Sequence, residues 1–163
     1  MFSLFTIVNF KNDACISSSS LSSGSTAYRN GTCFTSSECS SKGGSAKGNC
    51  ASGFGVCCVF LYSSSSQTQV NYNDTYLQNP GFPSTYGDTG SLSYTINKCS
   101  QDICWLRLDF ETFQTLGPSD TIETTGGACA DTLTITVSSG QTIPQLCGLL
   151  TGQHSILIIS RLL

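Results

Sequence analysis

The side chains best equipped for chemistry in this sequence are thiols: ten of its 163 residues are cysteine, against a single histidine. Six of them, Cys15, Cys33, Cys39, Cys50, Cys57 and Cys58, follow one another with 17, 5, 10, 6 and 0 residues between neighbours. A structural zinc site uses closely spaced cysteine pairs, often completed by histidine. None of these intervals fits and no histidine is near, so the spacing points to a disulfide framework and to no metal. Successive side chains of an extended chain point to opposite sides, so the sulfurs of Cys57 and Cys58 must reach different partners. Spacing leaves the pairing of these six open. Cys99 and Cys104 enclose four residues, which suits a local bridge pinning a turn. Cys129 and Cys147 enclose 17, enough for a strand to run out and return before the two ends are clamped.

The remaining candidates are few. His154 has no histidine companion and no sequence-local carboxylate, and its Thr-Gly-Gln-His setting reads as a structural loop. Asp109 and Glu111 could form an acid-base pair, but Arg107 and Asp109 share one face of an alternating run, so a surface ion pair is the better account. If a partner docks on that face, Trp105, Arg107 and Asp109 supply the aromatic, polar-rimmed anchor that protein interfaces favour; the alternative is that Trp105 lies under the linker or under C-terminal strands missing from this sequence. No nucleophile elbow, phosphate-binding loop or dinucleotide glycine pattern occurs, so no enzyme and no cofactor are expected. The net charge is −3 with no basic stripe, which excludes a nucleic-acid partner bound through its phosphates. No apolar run reaches the roughly 18 residues of a transmembrane span. The sequons Asn30-Gly31-Thr32 and Asn73-Asp74-Thr75 join the cysteines in pointing to an extracellular, glycosylated protein.

The elements that must position these residues follow from composition. Charged residues are only 10%, against about 25% in ordinary domains, and 27 serines and 19 threonines fill the gap. Residues 1–14 form an apolar N-terminal segment, in which Phe2 to Val8 reads either as a strand, with the true signal peptide upstream of a fragmentary sequence, or as a poor signal-like stretch that lacks a preceding basic residue and a small-x-small cleavage site. Residues 15–60 are a cysteine-rich module whose fillers are too small for a core, so that crosslinks hold it. Ser17–Ser25 is too poor in apolar residues to order itself. Residues 61–71, rich in Ser and Gln, read as a flexible linker. Beyond them apolar residues recur at period two, in Leu92-Tyr94-Ile96, Cys104-Leu106-Leu108-Phe110 and Leu133-Ile135-Val137, with turns at Asn79-Pro80-Gly81, Gly87-Asp88, Gly117-Pro118 and Ser139-Gly140. No segment sustains a 3.6-residue apolar period. The fold class is all-β, with an antiparallel sandwich after the linker.

Four motifs in this region resemble a known family. Asn79-Pro80-Gly81-Phe82-Pro83 with Tyr86, the run from Cys104 to Phe113, Cys129-Ala130-Asp131-Thr132-Leu133-Thr134-Ile135, and Pro144-Gln145-Leu146-Cys147-Gly148 with Thr151-Gly152-Gln153-His154 are similar in kind and order to elements of CUB domains of arthropod type. The segment from Gly31 to Cys58 resembles the cysteine-rich stretch preceding such domains, and its closing Cys-Cys is similar to the clip module of arthropod serine-protease cascades. The resemblance implies a jelly-roll-like β-sandwich over residues 72–154, C-terminally incomplete, followed by an atypical tail at 155–163 able to supply one more strand. It implies protein binding without catalysis. Calcium-binding members carry several acidic residues where this sequence offers Leu116 and only Asp131; hard calcium needs six to eight oxygen ligands, so no calcium site is expected. The expected function is a secreted interaction module for an extracellular protein. The alternative is the regulatory front end of a larger secreted clip/CUB-type serine protease.

Overall fold

In the computed structural model, residues 8–17, 28–63, 68–117, 129–138 and 140–159 are described. The chain divides into two compact units, Met1–Cys99 and Ser100–Leu163. Strands dominate both: β1 (Ala14–Ile16), β2 (Asn30–Phe34), β3 (Ser45–Cys50), β4 (Gly55–Tyr62), β5 (Thr68–Val70), β6 (Thr75–Leu77), β7 (Tyr94–Ile96), β8 (Trp105–Asp109) and β9 (His154–Ile158). Among the described residues the α-helical content is α1, Ser36–Ser41. The protein is all-β and disulfide-rich.

Unit 1 is organised by β4, an eight-residue apolar run whose first half pairs antiparallel with β2 and β3 and whose second half pairs parallel with β6. Strand β1 completes the order β1-β2-β4-β3. The Cys57 and Cys58 side chains leave β4 on opposite faces, and three bridges result: Cys15–Cys57, Cys33–Cys50 and Cys39–Cys58. Thr35 starts α1 by accepting the Glu38 N–H on its Oγ1 at 3.2 Å, and the helix then delivers Cys39, fully buried, to Cys58. Phe34, Cys39, Cys58 and Phe60 form a core with Val56 and Tyr72 packed against it. Tyr72 stacks on Phe60 at 4.4 Å between ring centroids, Phe34 meets Phe60 edge-on at 6.4 Å, and the Lys42 ammonium lies 5.4 Å from both outer rings. Gly44 sits so close to this core that a Cβ there would overlap Cys58 Sγ.

Several expectations are corrected here. The segment 15–60 does have a core, because half-cystines behave as small apolar side chains and need only a few aromatic neighbours to seal them. Within the expected linker 61–71, Leu61 and Tyr62 instead belong to β4 and Thr68–Val70 pairs in parallel with β7, while residues 64–67 lie outside the described residues. The division falls after Cys99, since Tyr72, β6 and β7 serve the first unit. Ser17 is buried at 3% exposure, its N–H bonded to the Arg29 carbonyl and its Oγ to the Arg29 N–H, each at 2.8 Å. The rest of the serine run, and the expected strand Phe2–Val8 as far as Ile7, lie outside the described residues; Val8 is exposed and belongs to no strand. Helix α1 leaves no apolar period in the sequence, because six residues carry too little of a 3.6-residue pattern.

In unit 2, β8 and β9 pair antiparallel from Trp105↔Ile158 to Asp109↔His154. Bridges at Gln114↔Leu149 and Leu133↔Leu146 and the Cys129–Cys147 disulfide, with 5.9 Å between Cα atoms, tie in the remainder. Leu133, Ile135 and Val137 keep their alternating half-burial but make only the single bridge at Leu133, not the expected strand. The tail supplies β9 instead. Leu157 is the one described apolar residue of unit 2 that is buried.

Candidate protein-docking face

Strand β8 reads exposed, half-buried, exposed, half-buried, exposed from Trp105 to Asp109, as a strand with one solvated face must. Leu106 and Leu108 turn inward with Leu157 of β9. Trp105, Arg107 and Asp109 turn outward, and the register sets Ile158, Ile156 and His154 directly opposite them. Residues opposed in an antiparallel pair share a face, so six side chains form one surface. Its apolar end holds Trp105 at 56% exposure, with Ile156 and Ile158 also exposed. Its polar end is a bidentate ion pair: Arg107 Nε donates to both Asp109 oxygens at 2.9 Å and Nη2 donates to Oδ1 at 2.8 Å. The hydrogen bonds from Arg107 hold the Asp109 carboxyl below its ordinary range, with the charges of Arg107 and of cross-strand His154 assisting. The same bonds and the carboxylate charge push Arg107 up.

The face therefore offers an exposed indole beside two branched aliphatics and a planar charged fork. It carries no nucleophile: Ser155 neighbours His154 in sequence, but alternation turns it to the other side of the sheet. Ile156 and Ile158 were missed in the sequence because they fall in the segment set aside as a tail. The signal that could have found them is the period-two series His154, Ile156, Ile158.

The other candidate residues are distributed elsewhere. The expected Cys99–Cys104 bridge is not formed, and both cysteines are free thiols. Within its own unit, Cys99 Sγ lies 3.4 Å from the Asn71 carbonyl and Cys104 Sγ 3.6 Å from the Asp102 carbonyl. Asn30 opens β2 and Asn73 precedes Asp74, whose φ is +50°; both asparagines are exposed. The Asp131 carboxylate accepts the Leu116 N–H at 3.4 Å, while the Asp131 N–H bonds back to the Leu116 carbonyl. Among the described residues no three His, Cys, Asp or Glu side chains converge as metal ligands, and no helix is long and apolar enough to cross a membrane. No protein-family model, curated protein or solved structure matches the chain. Its four disulfides fit an oxidising, extracellular setting.

Proposed function

We propose that this chain is a secreted, non-enzymatic interaction protein that docks an extracellular protein on the β8–β9 face. The observation that carries the reading is Trp105, 56% exposed beside Ile156, Ile158 and the Arg107–Asp109 fork. Tryptophan and arginine dominate the energetics of protein interfaces, because one broad apolar surface and one planar donor set gain most when water is excluded around them. An exposed indole contiguous with two exposed branched aliphatics makes an apolar patch rimmed by charge, the composition that interfaces use. The four CUB-like motifs support the same reading, with the β8–β9 pair as part of a jelly-roll-like sandwich. The exposed sequons at Asn30 and Asn73 support passage through the secretory pathway.

The test is affinity enrichment from native extracellular fluid with oxidised wild-type protein, alongside Trp105→Ala and Phe54→Ala. Phe54 is exposed in unit 1 and serves as a control for indiscriminate apolar contact. The reading requires a protein enriched by wild type and by Phe54→Ala but lost with Trp105→Ala. Equal enrichment by all three, or by none, defeats it.

A further inference from the structure

The backbone of β8 carries information that its side chains do not. The Ile159 N–H bonds the Cys104 carbonyl and the Phe110 N–H bonds the Gln153 carbonyl, each at 2.9 Å. In an antiparallel ladder, alternate residues turn both N–H and C=O toward the partner strand and the others turn both away. Cys104, Leu106, Leu108 and Phe110 therefore face β9, and Trp105, Arg107 and Asp109 present their amide groups outward. Among the described residues nothing bonds these outward groups. The far edge of β9 differs, since Gln141 Oε1 accepts the Ile158 N–H there. Proteins blunt such edges with proline, bulges or lysine. Trp105–Asp109 has none of these, and its one basic group is already matched by the carboxylate two residues on.

We propose that this edge pairs with the β8 edge of a second copy of the chain, giving a four-stranded antiparallel sheet in the order β9-β8-β8-β9. Charge fixes the register. A two-fold axis at Leu108 sets Arg107 of each copy opposite Asp109 of the other, both with outward amide groups, so their backbones exchange two hydrogen bonds while their side chains close a four-charge ring. The same axis sets Leu108 against Leu108 and Leu106 against Phe110 on the inner face. Moving the axis to Arg107 sets Arg107 against Arg107, and moving it to Asp109 sets carboxylate against carboxylate; like charges directly opposed disfavour both. The proposal shares β8 with the docking reading but uses its edge, leaving the face of Trp105, Ile156 and Ile158 open.

Sedimentation equilibrium of the oxidised full chain tests it. Wild type is expected to dimerise as concentration rises. Arg107→Asp and Asp109→Arg each set like charges opposite one another and are expected to be monomeric. An equimolar mixture of the two is expected to dimerise again, because each variant then faces its complement. The internal ion pair is broken in both variants, so rescue on mixing can only come from pairing between chains. Hydrogen exchange supplies a second readout on wild type alone: amides of Arg107 and Asp109 become protected as concentration rises, while those of Leu106 and Leu108 are protected throughout. If either variant loses the Leu106 and Leu108 protection, the wild-type exchange decides. A wild type monomeric at submillimolar concentration, single variants that still dimerise, a mixture of folded variants that does not, or outward amides that stay unprotected would each overturn the proposal. A missing dimer leaves the Trp105-dependent enrichment untouched, and a missing partner protein leaves the dimer untouched.

Discussion

Each unit contains a disulfide closing a loop of almost the same length, Cys39–Cys58 with a separation of 19 and Cys129–Cys147 with 18. The surroundings differ. Cys39 and Cys58 are 1% and 0% exposed and packed among Phe34, Phe60 and Tyr72, whereas Cys129 and Cys147 are half-buried. Of the nine buried apolar residues described, eight lie in unit 1 and only Leu157 in unit 2. Sulfur thus serves two purposes in one chain. In the first unit it is core material, filling volume that aliphatic side chains fill elsewhere. In the second it is chiefly a tether for segments whose apolar faces are only half covered.

Replacing both cysteines of each bridge by alanine tests that distinction directly. Loop closure contributes about 3 kcal/mol in either case, since the two loops are nearly equal. Cys39→Ala/Cys58→Ala should lose a further ~1–3 kcal/mol through the sealed volume it empties, and Cys129→Ala/Cys147→Ala should not. Hydrogen exchange reads the difference, at the β2–β4 amides for the first and at Leu133 and Leu146 for the second. Equal losses would mean that burial adds nothing to the sulfur pair, and the contrast between units would collapse.

The aromatic core gives the next largest effect. Phe60→Ala removes the ring that stacks on Tyr72 and meets Phe34 edge-on, at a cost of about 3–5 kcal/mol. Leu157→Ala should cost about 2–3 kcal/mol, because half-exposed neighbours can close over the gap. Gly44→Ala pushes a methyl group against Cys58 Sγ and should destabilise unit 1 by roughly 1–3 kcal/mol. Denaturant midpoints order the three. A Leu157→Ala loss matching that of Phe60→Ala would place a well-sealed core in unit 2 as well.

The strand character was legible where side chains alternate, and β8 shows why: its apolar and polar residues segregate at period two, so direction and exposure follow together. Adjacent Cys57 and Cys58 were legible for the same reason. The core around Phe60 was not, because composition counts few large residues between Cys15 and Cys58 and cannot foresee that Phe60 and Tyr72, beyond the last cysteine, fold back onto them. The parallel pairings of β4 with β6 and of β5 with β7 were hidden because three-residue strands carry no register information of their own. Half of the candidate face could be read, Trp105, Arg107 and Asp109. The other half depends on which strand lies alongside, a non-local fact that His154, Ile156 and Ile158 do not encode by themselves.

The smallest expected effect concerns the charges on that face. Arg107 holds the Asp109 carboxyl below its ordinary range, so the linkage has a definite sign. Any stability it contributes is present above the unfolded-state carboxyl pKa and is lost as pH falls through the lower folded value. Both groups are solvent-exposed, however, and water screens such pairs almost completely. NMR titration should therefore find Asp109 protonating later on acidification than a free aspartate, while the denaturant midpoint of Asp109→Asn tracks that of wild type across the same pH range, both measured at dilutions where the chain is monomeric. A midpoint that fell with the Asp109 titration would make the fork a structural brace. An unchanged midpoint leaves a bidentate ion pair contributing nothing measurable to the fold that displays it, and separates its role in unit 2 from that of the buried sulfurs in unit 1.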